Sequence, residues 1–224
     1  MNVLVACEES QTVCMAFRSY GFDAFSCDIQ PCSGGFPQFH ICADVIPLLN
    51  GHCSFYTMDG VLHSIPGKWD ILIAHPPCTF LTVSGNAWFN VDKYGDKALQ
   101  RIKDRDLAVD FFMKFVFADC DRVCIENPVG IMSKRYRYPD QIIQPWFFGD
   151  PFEKRTCLWL KGLFPLNPTF IVDPPPRTIF KSGRSMPEWI ASSVSLPCSE
   201  RSRYRSKTFP GIADAMASQW GLFI

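Results

Sequence analysis

Trp69-Asp70-Ile71-Leu72-Ile73-Ala74-His75-Pro76-Pro77-Cys78-Thr79-Phe80-Leu81 is an apolar run that ends abruptly on two prolines and a cysteine. Four consecutive apolar residues, Ile71 to Ala74, read as a strand buried on both faces in the middle of a parallel sheet. Pro76 and Pro77 lack the N–H that further pairing needs, so the strand stops and a stiff turn follows. Ligands of open α/β sheets bind just beyond the carboxyl ends of the strands, which is where this turn puts a thiol. Cys78 is therefore the candidate nucleophile. The competing reading is a small buried hydrophobe, as most free cysteines are.

The pattern repeats on both sides of this run. Upstream, Val3 to Cys7 is a short apolar strand, followed by Glu8-Glu9-Ser10 and a helix whose apolar residues Val13, Phe17 and Tyr20 are closed by Gly21. Phe22 to Ile29 is a second strand ending on Asp28, the place where nucleotide-like cofactors have their ribose hydroxyls held. A short helix is expected up to Leu49, and Gly51 to Lys68 reads as a hairpin inserted around the turn Asp59-Gly60. Downstream, Thr79 to Asp96 mixes aromatic residues with Ser84-Gly85-Asn86 without a period and reads as a long loop over the site. Lys97 to Phe117 has helical spacing. Asp121 to Pro128 is another strand with a polar end, which puts Glu126 at the same sheet edge as Cys78. A further strand closes the segment from Pro151 to Gly162. The pattern then decays through Pro174-Pro175-Pro176, and helical spacing returns from Pro210 to Trp220. Alternating strands and helices predict an α/β chain with a mainly parallel sheet and helices on both faces.

A chain of 224 residues, 47% hydrophobic, suffices for one well-buried unit with an appended subregion. The expected division is a core over residues 1–163, a small irregular region over 164–204, and a returning C-terminal helix over 205–224. The 11 cysteines show no C-x-x-C pair and several lie in strand-like runs, which predicts free thiols, no metal and a reducing, cytoplasmic setting. No basic leader and no long apolar run is present, so neither a signal peptide nor a membrane association is expected. Formal net charge is zero, which argues against a chain that simply coats nucleic acid. Between Arg177 and Lys207, however, seven lysines and arginines face two acids, Glu188 and Glu200, leaving room for a local basic face.

Pro77-Cys78 after one strand, Glu126-Asn127-Pro128 after the next and an acid closing the second strand together resemble the cytosine-5 DNA methyltransferases. The resemblance implies a Rossmann-like class I methyltransferase sheet and S-adenosylmethionine as cofactor. It implies Cys78 as the nucleophile that activates the pyrimidine ring, Glu126 as the acid on the ring nitrogen and amine, and Asn127 as the residue fixing the loop. Phe152-Glu153-Lys154-Arg155-Thr156 is similar to the family's basic motif, with Arg155 or Lys154 neutralising charge or touching phosphate. Around the cofactor it implies Glu8, Asp28, Ile29, Asp44 and Pro76. Lys207 to Met216 is similar to the C-terminal motif that packs back beside the cofactor. DNA is the implied partner, and with only about forty residues for target recognition a partner protein is a further expectation.

One departure is specific. Where the family has a glycine-rich turn after its first strand, this chain reads Ala6-Cys7-Glu8-Glu9-Ser10, which leaves a modified or different donor open. Other readings are an enzyme acting on a free nucleotide or RNA, and a silent nucleotide- or nucleic-acid-binding protein. His75-Pro76-Pro77-Cys78 also resembles the Asp-Pro-Pro-Tyr turn of exocyclic-amine DNA methyltransferases, although Glu126-Asn127-Pro128 favours thiol chemistry.

Overall fold

The computed structural model describes residues 1–221. In chain order the elements are β1 (Asn2–Ala6), α1 (Thr12–Ser19), β2 (Asp23–Asp28), β3 (His40–Cys42), β4 (Cys53–Tyr56), β5 (Leu62–Ile65) and β6 (Ile71–Ala74). There follow α2 (Val91–Tyr94), α3 (Asp96–Val116), β7 (Val123–Pro128), α4 (Met132–Arg135), β8 (Gln141–Ile143) and β9 (Thr156–Lys161). The last part holds β10 (Arg177–Ile179), β11 (Ser185–Pro187), α5 (Glu188–Ser192), α6 (Cys198–Ser206) and α7 (Pro210–Gly221).

Seven strands form one sheet in the order β3-β2-β1-β6-β7-β9-β8. β3, β2, β1, β6 and β7 pair in parallel, and β9 runs antiparallel to both of its neighbours. The mainly parallel α/β sheet with helices on both faces expected from the sequence is the one found. The chain builds outward from β1 in one direction through β2 and β3, then returns to β6 on its other side. That reversal puts the Cys7–Gln11 turn and the His75–Cys78 turn at the point where the strand order switches, the position at which open α/β sheets bind ligands.

Alternation of side chains explains why the strands read as continuous apolar runs. Leu4, Ala6, Leu72 and Ala74 face one core, with Phe112 and Phe115 of α3 and Trp69. Val3, Val5, Ile71 and Ile73 face the other, with Val13 and Phe17 of α1 and Ile212, Met216 and Trp220 of α7. Every residue of β6 is fully buried, and each large one contributes roughly 1.5–3 kcal/mol by leaving water.

The inserted hairpin is present as β4 and β5, paired antiparallel. Two segments are more ordered than their sequence implies. Between Thr79 and Asp96 the chain makes a 3-10 turn over Val83–Phe89 and then α2, whose first turn is capped by the Asn90 side chain accepting from the Lys93 N–H at 2.9 Å. Of the aromatics here, Phe80 and Phe89 meet arginines of α3, and Trp88 packs on Tyr94. The Arg105 guanidinium lies 3.2 Å from the centre of the Phe89 ring, and its Nε donates to the Phe80 carbonyl at 2.9 Å. Residues 164–206 contain the β10–β11 hairpin, α5 and α6. Trp189 of α5 anchors this part, its ring meeting Phe152, Tyr204 and Phe209 and its Nε1 donating to the Glu153 carbonyl. The C-terminal helix expected over 205–224 is α7, and positions 222–224 lie outside the described residues.

Candidate active site

β6 and β7 lie side by side in register, Ala74 opposite Ile125. The next residues of each strand, His75 and Glu126, therefore meet, and both project to the α7 side of the sheet. The Nδ1–H of His75 donates to Glu126 Oε2 at 2.9 Å, with 10% of the His75 side chain and 12% of the Glu126 side chain exposed. One residue on, Asn127 is buried and its Nδ2 donates to the Pro76 carbonyl at 2.7 Å. That bond fixes the double-proline turn from behind.

The turn continues with the Cys78 carbonyl accepting from the N–H groups of Leu81 and Thr82. Leu81 in turn accepts from the Ile131 N–H at 2.8 Å, which binds the loop after β6 to the loop after β7. Gly130 sits at this seam, where a Cβ would run into the Leu81 carbonyl. Glycine is required there by close approach of backbone rather than by a turn.

Burial pushes the Cys78 thiol up and the nearby Glu126 carboxylate pushes it further, while Lys154 pulls it down. Burial also acts to raise Glu126, but the His75 hydrogen bond and the Lys154 charge outweigh it and hold the carboxyl below its ordinary value. Lys154 thus acts on both groups. It is held in place by its Nζ donating to the carbonyls of Ser206 and Lys207 at 3.2 and 2.8 Å. Glu126, Lys154, Thr156, Phe209 and Met216 line a narrow cavity beneath α7. Arg155, the residue expected to share this role, is exposed on the outside, and its charge bears on Cys157 instead. Successive residues entering β9 point to opposite faces, so one of the two basic side chains faces the acid and the other does not.

The acids expected at the cofactor lie on the other half of the sheet edge. Asp28 closes β2, half-buried, with its Oδ1 accepting from the Gln30 N–H at 2.9 Å. Asp44 follows β3, exposed, with its Oδ1 accepting from the Ile46 N–H at 3.0 Å. Ile29, the residue after Asp28, is 78% exposed. Burial pushes the Cys7 thiol up, and the charges of Asp28 and Asp44 push it further.

The glycine-free turn is made by two residues in the left-handed region, Cys7 at φ 59° and Gln11 at φ 62°. Glu8 is buried beneath it, with Oε1 accepting from the Val13 N–H at 2.6 Å and Oε2 from the Cys14 N–H at 3.1 Å. Both oxygens of Glu8, a residue expected around the cofactor, are thus engaged by the first turn of α1. Gln11 is fully buried and bonds Phe36 through both its amide atoms, to the carbonyl at 2.9 Å and from the N–H at 3.0 Å. This pins residues 33–36 over the turn.

Three features escaped the sequence reading. His75 was legible only as part of the turn, because its partner depends on strand register. The choice of Lys154 over Arg155 depends on which face of β9 each takes. Glu8 caps α1 across five and six residues, not the three of a capping box, so no local spacing signals it. The described cysteines are all free. Among the described residues no cluster of metal-ligating side chains occurs and no helix is long and apolar enough to cross a membrane.

No family model matches the chain, and no curated protein matches it. A solved Escherichia coli structure, described as that of a candidate DNA modification methyltransferase encoded within a prophage, is similar with 16% identity and a TM-score of 0.47. The match covers 88% of this chain and 56% of the other protein's length.

Proposed function

We propose that this chain is an S-adenosylmethionine-dependent methyltransferase that modifies carbon 5 of cytosine in DNA through a covalent adduct with Cys78. The observation that carries the reading is the meeting, at the ends of the adjacent parallel strands β6 and β7, of a thiol and a carboxylate that both feel Lys154. A binding protein has no need of that combination.

Carbon 5 of cytosine is a weak nucleophile until a thiolate adds at carbon 6. The Cys78 thiol proton passes to N3 by way of the Glu126 carboxylate, the sulfur bonds to carbon 6, and the carbon 5–carbon 6 electron pair moves to the carbon 4–carbon 5 bond. Glu126 takes the ring edge, binding N3 and the exocyclic amine where charge builds up. Asn127 keeps the Pro76-Pro77-Cys78 turn in place, and Lys154 offsets the negative charge shared by thiol and acid. After carbon 5 has been alkylated its proton passes to water, the sulfur leaves from carbon 6 as the double bond reforms, and N3 returns its proton to the departing thiolate by way of Glu126. In duplex DNA the base has to leave the stack to reach this site.

The residues beyond β1, β2 and β3 fit an adenosine-bearing cofactor: an acid for ribose hydroxyls in Asp28, an exposed apolar face in Ile29 and a second acid in Asp44. Pro76 packs at the boundary of the two halves. S-adenosylmethionine bound there supplies an electrophilic methyl group. A related enzyme using a different donor is the second reading, and the engagement of both Glu8 oxygens by α1 favours it.

The test is covalent trapping. The protein is incubated with S-adenosylmethionine and DNA carrying 5-fluorocytosine, whose fluorine cannot leave as a cation. A denaturation-resistant adduct in the native protein and none in Cys78→Ser is expected. With cofactor binding demonstrated, no adduct on either single- or double-stranded DNA would overturn the reading.

A further inference from the structure

Glu126 shares the strand ends with a row of charges, one from each neighbouring strand. In sheet order Glu8 follows β1, His75 follows β6, Glu126 lies in β7 and Lys154 precedes β9. Burial pushes Glu8 up, against the opposing pull of His75 and of the two α1 amides. His75 therefore stands between two buried carboxylates, and the geometry treats them differently. Glu8 already has both oxygens on α1, whereas Glu126 has its His75 contact and, among the described residues, no other hydrogen bond.

A carboxylate can only accept, so the proton of the 2.9 Å contact sits on His75 Nδ1. The ring itself has no freedom to drift. It follows a strand residue whose neighbours are fully buried, its own N–H donates to the Ala6 carbonyl at 2.9 Å, and a proline comes next. Its Nε2 is buried and has no hydrogen-bond partner among the described residues, so this histidine is not present to satisfy both of its own nitrogens. What it does satisfy is one oxygen of Glu126.

We propose that His75 is a positioning residue for Glu126, holding Oε2 from within the protein so that Oε1 is the oxygen presented to the cleft. The inference rests on the reading of Glu126 as the acid that takes the base edge. Left alone, a glutamate side chain has three rotatable bonds, and a ring nitrogen and an amine are recognised together only from one orientation of the carboxylate. The His75 contact supplies that orientation before the base arrives.

The groups facing the pair are Glu8 from the β1 turn, Cys78 from the same turn as His75, Lys154 from before β9, Lys207 on the shared cavity and the buried thiol of Cys124. None of these donates to Glu126, so among the described residues the His75 N–H has no substitute.

Three variants separate orientation from bulk. His75→Asn keeps an N–H donor at the position of Nδ1, His75→Gln puts it near Nε2, and His75→Ala removes it. Two readouts are taken: the pH titration of the Glu126 side-chain carbon by NMR, assigned with Glu126→Gln, and the pH dependence of adduct formation on 5-fluorocytosine DNA. His75→Ala and His75→Gln are expected to move the Glu126 titration upward and slow trapping at pH 7 by about tenfold or more, the scale of one charge-assisted hydrogen bond. His75→Asn is expected to restore trapping to within about threefold of native. An unchanged Glu126 titration in His75→Ala, or His75→Asn as slow as His75→Ala, overturns the inference. If the native protein traps nothing, the base reading falls instead, and the titration alone still decides whether His75 governs Glu126.

Discussion

The two halves of the sheet edge are built in different ways. On the β6–β7 side the functional groups are tied to one another across strands: His75 to Glu126, Asn127 to the Pro76 carbonyl, Leu81 to Ile131. On the β1–β3 side the acids accept from backbone N–H groups close by in the chain, Asp28 from Gln30 and Asp44 from Ile46, and both keep access to solvent. A covalent step needs atoms held before the substrate arrives, and cross-strand bonds over buried backbone do that. A cofactor that enters and leaves is better served by acids kept at the surface in short local turns. The difference teaches that geometry is fixed on one side and exchange is allowed on the other.

If that contrast is right, damage on the β6–β7 side falls on rate and damage on the β1–β3 side falls on binding. Glu126→Gln is expected to cost the most, roughly 10²- to 10⁴-fold in trapping or methyl transfer, with cofactor affinity unchanged by calorimetry. Next, Gly130→Ala forces the Leu81 carbonyl aside and is expected to slow trapping by roughly a hundredfold. A Gly130→Ala protein with native kinetics would show that the seam carries no geometry. Asp28→Asn is expected to weaken cofactor binding by about tenfold while leaving the single-turnover rate at saturating cofactor near native.

Smaller effects sharpen the boundary between the halves. Glu8→Gln keeps one acceptor for α1 and loses the other, so about 1–2 kcal/mol of stability should go by denaturant unfolding, without a change in cofactor affinity. A loss of affinity with stability intact would instead place Glu8 on the ligand. Last, His40 is buried between the Ser26 hydroxyl at 2.8 Å and the Gln30 carbonyl at 2.9 Å, and burial holds it below its ordinary value of 6.5. The unfolded chain then takes up the proton that the folded chain resists, so this contribution is present above pH 6.5 and is lost as pH falls below it. Comparing native and His40→Gln unfolding at pH 8 and pH 5.5 isolates it: the native protein should lose more stability between the two.

What was legible follows from how far each interaction reaches along the chain. β6, β7 and α3 were readable because their signals are continuous or periodic over consecutive residues. The Pro-Pro-Cys and Glu-Asn-Pro ends were readable because prolines and polar residues stop a buried strand abruptly. The hairpin of β4 and β5 announced itself through Asp59-Gly60. The His75–Glu126 contact joins positions 51 apart in sequence, and nothing short of the β6–β7 register reveals it. Order in residues 83–94 depends on Arg101 and Arg105, which approach from α3 over the rings of Phe80 and Phe89. The cofactor turn was hardest, since Cys7 and Gln11 occupy backbone conformations for which glycine is the usual marker.

The seam at Gly130 also has a meaning in time. The Leu81 carbonyl that accepts from Ile131 belongs to the same short turn as Cys78, and Asn127 grips that turn from the opposite strand. In hydrogen-exchange terms, the amides of Leu81, Thr82 and Ile131 are expected to be released together with those of the central strands when the sheet opens, rather than by local fraying. In the reaction proposed above, Cys78 and Glu126 would then meet each substrate in the same arrangement.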